Sequence, residues 1–253
     1  MRSFIVFLQK EWMELVRTKK LLILLCIFTF LGISTPVITR YMQDIVRLAT
    51  NGQMDIPMPT TTWVDSWVQL YGYLSQVGGI CVILLFMNGI TGEKQSGSAA
   101  LTLTKNLSHT GFVMAKFISA AIMLFASVLL TAAICYGYTY FLFGFAGNIV
   151  DIILGAIVLT AFMLTLLGFT MFASALTKSV TTSAILAVLG FIILPLLNFL
   201  PGVGGMMPGV LSTQALGISV GEYSNILPSL LTALCISILC LFGAVSMLKR
   251  QEL

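Results

Sequence analysis

The chain carries very little charge for its length. Asp, Glu, Lys and Arg make up only 9% of its 253 residues, whereas 58% are hydrophobic. Roughly a quarter of the residues of a soluble domain are charged, so this composition excludes an ordinary soluble fold. The apolar runs are also too many and too long for a cleavable signal peptide, whose apolar region spans about 7–15 residues. The composition therefore predicts a protein embedded in a membrane.

Sequence motifs for nucleotide binding and for zinc proteases are missing as well. The sequence has no GxxxxGK[ST] and no HExxH, so it lacks the nucleotide and zinc-protease sites that these motifs mark. His109 is the single histidine, and we interpret it as a polar loop residue. The five cysteines lie in apolar segments without a CxxC pair, which is typical of buried thiols. We expect no catalytic site, no metal and no cofactor in this chain.

Asp, Glu, Lys and Arg are absent from the apolar segments, except near the segment ends. Proton- and sodium-coupled carriers usually place such residues at membrane depth, so the pattern argues against an ion-coupled carrier. The net charge of +4 does not indicate a nucleic-acid partner, and we expect none. The distribution of the charges along the chain is more informative than their sum.

Six apolar segments remain, each close to the roughly 20 residues that a membrane-spanning helix requires. We predict an all-α polytopic membrane protein whose six transmembrane helices lie at about 21–40, 70–91, 116–143, 149–176, 182–200 and 225–248. Trp63 and Trp67 stand where the chain re-enters the bilayer, as in an aromatic belt. The Gly-, Pro- and Met-rich residues 201–224 fit a loop, a short re-entrant or interfacial helix, or the broken end of a span.

Residues 1–20 precede the first span and have the pattern of an amphipathic helix. Phe4 and Leu8 lie on its apolar side, and basic side chains on its polar side would face anionic lipid headgroups. The residues that we assign to this interfacial helix are Lys10, Glu11, Trp12, Arg17, Lys19 and Lys20. The predicted organisation is an interfacial helix at 1–20 and a six-span domain at 21–253.

The basic residues predict the orientation in the membrane. With six spans both termini lie on one side, and that side holds all of the 13 Lys and Arg residues except Arg40 and Arg47. Because Lys and Arg concentrate on the cytoplasmic side, we place both termini and the loop at 92–115 in the cytoplasm. We expect a multi-pass protein of a plasma membrane, of the bacterial inner or cytoplasmic type.

The loop at 92–115 is the only long polar connection on that side of the membrane. It contains Ser96, Gly97 and Ser98, and we predict a short helix from Ser98 to about Leu103. A serine can cap such a helix, and glycine lets the backbone turn tightly. This helix can present its exposed side to a soluble partner.

The loop and the N-terminal segment carry a recognisable pattern. Along the loop come Glu93, Ser96-Gly97-Ser98, Leu101-Thr102-Leu103-Thr104-Lys105, Ser108-His109 and Lys116-Phe117. This resembles the permease subunits of type-2 ABC transporters, where E-x-x-x-G-T ends the second span, a short helix and L-L-S/T-K/R-P-V-S-R follow, and G-K opens the third span. The segment KEWMELVRTKK before the first span is similar to the interfacial elbow helix of that family. The sequence departs from the family pattern at three positions, with Asn106 in place of Pro, His109 in place of Arg and Ala115 in place of Gly.

The resemblance implies a transport subunit that forms a translocation path and hydrolyses no ATP itself. It implies a separate ATP-binding subunit, which holds ATP and Mg, and a second permease in a homodimer or heterodimer. The positions that match the family's coupling loop are Glu93, Lys94, Ser96, Gly97, Ser98, Leu101, Leu103 and Lys105. The resemblance favours export, and a path without charges suits an amphipathic or hydrophobic cargo, with a peptide as the first choice and a lipid-linked molecule as the second.

Other classes of protein remain as alternatives. A membrane anchor or immunity module would bind a toxic peptide without moving it. A passive channel or an ion-coupled carrier would need a pore-lining charge or an inverted repeat, and neither is visible in the sequence. A membrane-embedded enzyme would need a catalytic constellation that the sequence lacks. A neighbouring reading frame with a Walker A motif would distinguish the permease from the anchor.

Overall fold

The structure, a computed structural model, describes residues 2–49, 60–98 and 108–250. Within these ranges the secondary structure is helical and contains no β-strand. The α-helices are α1 (Arg2–Arg17), α2 (Lys20–Ala49), α3 (Trp63–Tyr73), α4 (Gly79–Phe86), α5 (Thr91–Gln95), α6 (His109–Phe143), α7 (Ile149–Leu176), α8 (Val180–Leu196), α9 (Leu211–Ser219) and α10 (Leu227–Arg250).

Six helical stretches in these ranges are long and apolar enough to cross a membrane. They are Lys20–Leu48, Trp63–Gln95, His109–Phe143, Ile149–Leu176, Val180–Phe199 and Leu227–Arg250. This confirms the predicted fold class, an all-α polytopic membrane protein with six candidate spans. The division into a separate interfacial helix and a six-span domain stays a prediction, although α1 is a helix at the expected place.

Several helices extend past the limits that hydrophobicity indicates. α2 continues to Ala49 because MQDIVRLA keeps helical spacing. α6 begins at His109, since the Ser108 hydroxyl caps it by accepting a hydrogen bond from the Gly111 backbone N–H at 3.0 Å. With 35 residues, α6 is roughly 50 Å long, and it therefore exceeds the ~30 Å hydrocarbon core of a bilayer.

The helix bundle has two ends with different contents. The proximal end holds α1, α5, the start of α6 and the last turns of α7 and α10. The distal end holds the start of α3, the end of α6, the start of α7 and α9. The first described helix, α1, and the last turns of α10 therefore lie at the same end of the bundle.

α7 lies at the centre of the bundle. In the most apolar stretch of α7, 67% of the residues are buried, compared with 22% in the corresponding stretches of α8 and α10. It packs against α6, α8, α9 and α10. Its buried threonines satisfy their hydroxyls within the helix: Thr160 donates to the Ala156 carbonyl and Thr170 to the Leu166 carbonyl, both at 2.8 Å. These hydroxyls therefore need no partner in lipid.

The second span is a broken helix. α3 and α4 are joined by one π-helical turn at Leu74–Gly78, and α4 and α5 are separated by a turn after Phe86. Close packing explains the glycines beside the π turn: a Cβ on Gly78 would meet Met163 Cε at 2.7 Å, and one on Gly79 would meet Phe191 Cε2 at 2.5 Å. The break before α5 separates this short helix from the rest of the second span.

The segment 201–224 contains both irregular turns and a short helix, two of the structures that the sequence allowed. Two short 3-10 turns, Gly204–Met206 and Pro208–Val210, lead into α9, which packs against α7 and α3. Gly155 on α7 allows this approach, because a Cβ there would lie 2.0 Å from the hydroxyl oxygen of Ser219. The segment is a short packed helix with irregular lead-in turns at the distal end.

Candidate functional site

The predicted coupling residues fall partly outside the described residues. Leu101, Leu103 and Lys105, and with them most of the predicted helix from Ser98, lie in the range 99–107 that the structure does not describe. The described part runs through α5 and the turn that follows it. That part is where the polar contacts of the proximal end are concentrated.

The junction between α4 and α5 is held by one serine of α7. The Ser174 hydroxyl accepts hydrogen bonds from the backbone N–H groups of Ile90 (3.1 Å) and Thr91 (3.0 Å). It lies 2.9 Å from the Met87 carbonyl, to which it donates, and the Thr91 hydroxyl donates to the Ser174 carbonyl at 2.7 Å. Ser183 of α8 donates to the same Met87 carbonyl at 3.0 Å. The polar groups freed by the helix break are therefore satisfied by α7 and α8.

Glu93 of α5 joins a partly buried group of charges from three helices. Its Oε1 atom lies 2.8 Å from Lys116 Nζ and 2.9 Å from Lys10 Nζ. Lys116 also pairs with Glu11 at 2.9 Å, and Lys10 pairs with Glu14 at 2.9 Å. The side chains of Lys116 and Glu11 are only 4% and 6% exposed. We call these five residues the ion cluster; it ties α1, α5 and α6 together.

The electrostatics of the outer part of the cluster follow from its geometry. Burial alone would lower the pKa of Lys10, but hydrogen bonds to Glu14, Glu93 and Glu11 and the charge of Glu11 raise it above its ordinary value. Burial alone would raise the pKa of Glu14, but the hydrogen bond from Lys10 and the charges of Lys116, Lys10 and Lys20 lower it. Both groups are thus held in their charged forms near neutral pH.

Three carboxylates of the cluster come close enough to suggest a metal site. Oxygens of Glu11, Glu14 and Glu93 lie within 4.8 Å of one another. The ammonium groups of Lys10 and Lys116 already bind oxygens of all three carboxylates. We therefore interpret the group as an ion-pair network. Within the cluster, the buried Oε2 atom of Glu93 has no hydrogen-bond partner among the described residues.

The two residues after Glu93 attach α5 to the turn between α7 and α8. Lys94 Nζ donates to the carbonyls of Ala175 (2.6 Å) and Thr177 (2.8 Å), and Gln95 Nε2 donates to the Lys178 carbonyl at 2.8 Å. A lysine is favourable there, because the last carbonyls of a helix lack intrahelical partners and carry partial negative charge. Three consecutive residues thus contact α1, α6 and the α7–α8 turn.

The turn after α5 is shaped by glycine and two serines. Gly97 has a φ of +72°, which a residue with a side chain rarely adopts. The hydroxyls of Ser96 and Ser98 lie 2.9 Å apart, and both donate towards the Glu93 carbonyl. The tight turn predicted at Gly97 is present, and the capping of the following helix stays a prediction.

The predicted interfacial residues of α1 lie on different faces of the helix. Trp12 is 39% exposed and Arg17 is exposed as well, whereas Glu11 points into the bundle. The exposed Lys19 lies after the end of α1, and Lys20 is the first residue of α2. α1 is fixed to α6 by the stacked rings of Phe7 and Phe112, with centroids 5.5 Å apart. The sequence pattern did not reveal that Glu11 points into the bundle, because its partner Lys116 lies on another helix. The available signal was Lys116 itself, a lysine at the start of a long apolar segment that needs an acidic partner when it is buried.

Fold and site together define the class of protein. The chain is a multi-pass membrane protein. The ion pairs within its described residues lie at the proximal end, where the broken second span meets the N-terminal helix.

Comparison with known proteins identifies the family. The chain belongs to the family described as ABC-2 family transporter protein, whose model matches residues 5–248. It is also similar to a Bacillus subtilis (strain 168) protein named "Uncharacterized transmembrane protein YxlG", with 24% identity over 145 residues. That match covers 56% of each of the two chains, so the chain spans about half the length of this relative. The family is that of the membrane components of ABC transporters.

Proposed function

We propose that this chain is the permease subunit of an ATP-driven exporter and that it couples to a separate ATP-binding subunit through the loop at 92–115. The observation that carries the proposal is the attachment of α5 on three sides. The Glu93 carboxylate contacts α1 and α6, and the side chains of Lys94 and Gln95 contact the α7–α8 turn. A force applied to the loop therefore reaches four helices at once.

The mechanism follows from these contacts. ATP binding would close the partner subunits and displace the loop, and α5 would move with it. Because α5 is bound to its neighbours by ion pairs and hydrogen bonds, the proximal ends of α1, α6, α7 and α8 would shift as one packed unit. The Met87 carbonyl in the turn before α5 accepts hydrogen bonds from Ser174 and Ser183, so this turn would move together with α7 and α8. ATP and Mg would bind to the partner subunit.

The remaining features of the assembly rest on sequence and family. We place the proximal end in the cytoplasm, in a bacterial-type cytoplasmic or inner membrane, because it carries nearly all of the basic residues. A permease with six spans would pair with a second permease, identical or related. We propose an amphipathic or hydrophobic cargo, a peptide first and a lipid-linked molecule second, because the span interiors offer apolar, Ser and Thr side chains and few charges.

The first experiment is co-purification with the protein encoded by a neighbouring frame that contains a Walker A motif. The pair would be reconstituted into liposomes and its ATPase activity measured with wild-type chain, with the sequence from Ser98 to Leu103 scrambled, and with Lys94→Met. We expect the scrambled chain to lose the partner. We expect Lys94→Met to keep the partner but to lose the effect of the permease on ATPase activity.

Lys249→Met is the matched control for Lys94→Met. Lys249 is an exposed lysine at the same end of the bundle, and its loss should leave binding and activity unchanged. If no ATP-binding protein is retained, or if the scrambled loop retains it fully, the coupling proposal is wrong. The anchor and passive-carrier alternatives would then be favoured.

A further inference from the structure

The second span carries an exposed polar side chain deep in the membrane. Gln76 is exposed, and at roughly 1.5 Å per residue it lies about 20 Å from Trp63 and about 25 Å from Glu93 along the span. The hydrocarbon core of a bilayer is about 30 Å thick, so Gln76 lies near its middle. The side chain of Gln76 forms no hydrogen bond within the described part of the chain.

Gln76 belongs to an exposed face of the second span. Tyr73, Ile80 and Leu84 are exposed as well, and with Gln76 they follow one another at intervals of three or four residues. Residues at this spacing lie on one side of a helix. We call these four residues the second-span face. The π-helical turn at Leu74–Gly78 contains Gln76, and such turns are frequent at functional sites.

The long helices that follow expose apolar side chains at this depth. Phe125 of α6, Leu189 of α8 and Leu234 of α10 are examples. Among the described residues, none of the side chains that these three helices expose at mid-membrane is an amide or a charged group. Apolar surfaces suit lipid, whereas an amide in hydrocarbon loses the hydrogen bonds that water supplies. The second-span face is therefore poorly suited to lipid.

An amide at membrane depth finds its partners either on another helix or in a water-filled cavity. Gln69 of the same span shows the first case, because its Oε1 atom accepts a hydrogen bond from the Thr39 hydroxyl at 3.2 Å. Gln76 has no such neighbour in the described ranges. Close pairs of helices in membranes use small residues at their contact, but the second-span face consists of large side chains. Water is thus the partner that fits Gln76.

We propose that the second-span face lines a water-filled path through the membrane, with the Gln76 amide as its hydrogen-bonding group at mid-depth. This inference rests on the proposed function, because a permease has to provide such a path. It gives the second span two roles. Its proximal end, α5, carries the coupling contacts, and its middle lines the path.

The test measures how fast a cysteine at each position reacts with a charged thiosulfonate that does not enter lipid. Membranes of cells that express the chain together with its genomic neighbours are opened by freezing and thawing, so the reagent reaches both sides. Peptide mass spectrometry reports the labelled position, and the native cysteines can therefore stay in place. We expect Gln76→Cys to react at least roughly tenfold faster than a cysteine in lipid, because the thiolate is the reactive form and apolar surroundings suppress it.

Phe125→Cys is the matched control, because Phe125 is an exposed side chain near the middle of α6. The native Cys235 of α10 is exposed too, and it gives an internal reference in every sample. Ile80→Cys is the second variant. Although Ile80 is apolar, its position on the second-span face should make its cysteine react faster than the control, and it keeps the proposal testable if Gln76→Cys fails to fold.

Oxidation of the same membranes separates a path from a contact between two permeases. If Gln76→Cys forms a disulfide with a second copy and escapes the thiosulfonate, the two positions lie within the short reach of a disulfide, and the proposal is wrong. If Gln76→Cys and Ile80→Cys react no faster than Phe125→Cys, the face lies in lipid and the proposal is wrong as well. Neither result affects the coupling proposal, because labelling is measured without ATP and retention of the ATP-binding subunit is scored separately.

Discussion

The buried ion pair between Lys116 and Glu11 offers a sharp test of the site. Lys116→Met keeps an unbranched side chain of similar length but removes the ammonium group. Glu11 would then keep only Lys10 as a partner, at 3.0 Å, and the Lys10 side chain is 44% exposed. Breaking a buried pair costs about 3–5 kcal/mol. Because Lys10 offsets part of the loss, we expect the lower end, about 3 kcal/mol.

The loss can be measured as a change in the unfolding free energy in mixed micelles, with sodium dodecyl sulfate as the denaturant. At 2–4 °C per kcal/mol for a chain of this size, Tm should fall by roughly 6–12 °C. The matched control is Lys249→Met at an exposed position, which should stay within about 0.5 kcal/mol of wild type.

A double-mutant cycle with Glu11→Gln isolates the pair. With Glu11 already neutral, Lys116→Met should cost clearly less, and the coupling energy should be roughly 1–3 kcal/mol. If Lys116→Met is no more harmful than the Lys249 control, or costs the same in both backgrounds, the pair does not stabilise the proximal end and our reasoning on the ion cluster is wrong.

Three further predictions concern other contacts of the bundle. Ser174→Ala removes the hydroxyl that holds the junction of α4 and α5 and leaves buried backbone groups unpaired, so stability should fall by about 2–4 kcal/mol. Gly155→Val puts a side chain where α9 approaches α7 and should cost about 1–3 kcal/mol in the same unfolding assay. Stability should also depend on pH. The lowered pKa of Glu14 stabilises the fold above the ordinary carboxylate value of about 4.3 and loses this effect as pH falls through the folded-state pKa. The raised pKa of Lys10 stabilises it below the ordinary value of about 10.4 and loses this effect as pH rises through the folded-state pKa.

Each of these predictions has a control in the chain. Ser127 donates only to the Met123 carbonyl of its own helix, so Ser127→Ala should be much milder than Ser174→Ala. A Cβ on Gly137 would meet nothing within 4 Å, so Gly137→Ala should not destabilise. Glu14→Gln should flatten the acid side of the stability profile. Equal effects of variant and control, or an unchanged profile, would contradict the corresponding contact.

The positions of the spans were predictable because hydrophobicity is a local property. All six predicted spans overlap the six candidate spans of the structure. The ends were less predictable, because they depend on capping. The Ser108 hydroxyl caps α6 at His109, about two turns before the predicted start of the third span at 116. Trp67 shows the same limit, since it is fully buried and donates to the Ala146 carbonyl instead of lying in an aromatic belt.

The ion cluster could not be predicted in the same way. Glu11 and Lys116 are 105 positions apart, and no local pattern says which distant charges will meet. The sequence placed both near the membrane surface and assigned Glu11 to a polar face. Once α1 packs on α6 through Phe7 and Phe112, Glu11 is brought against Lys116, so the pairing is a result of tertiary packing.

The break before α5 also bears on how the chain is made. The partners that satisfy it lie far ahead in the sequence: Ser174 follows Ile90 by 84 positions, and Ser183 follows Met87 by 96. At about 5–20 residues per second, roughly 4–17 s pass after Ile90 is synthesised before Ser174 exists. The second span therefore enters the membrane with its proximal end unfinished. Folding of that end has to wait for the fourth and fifth spans, so truncation of the chain before α7 should leave the coupling segment unformed.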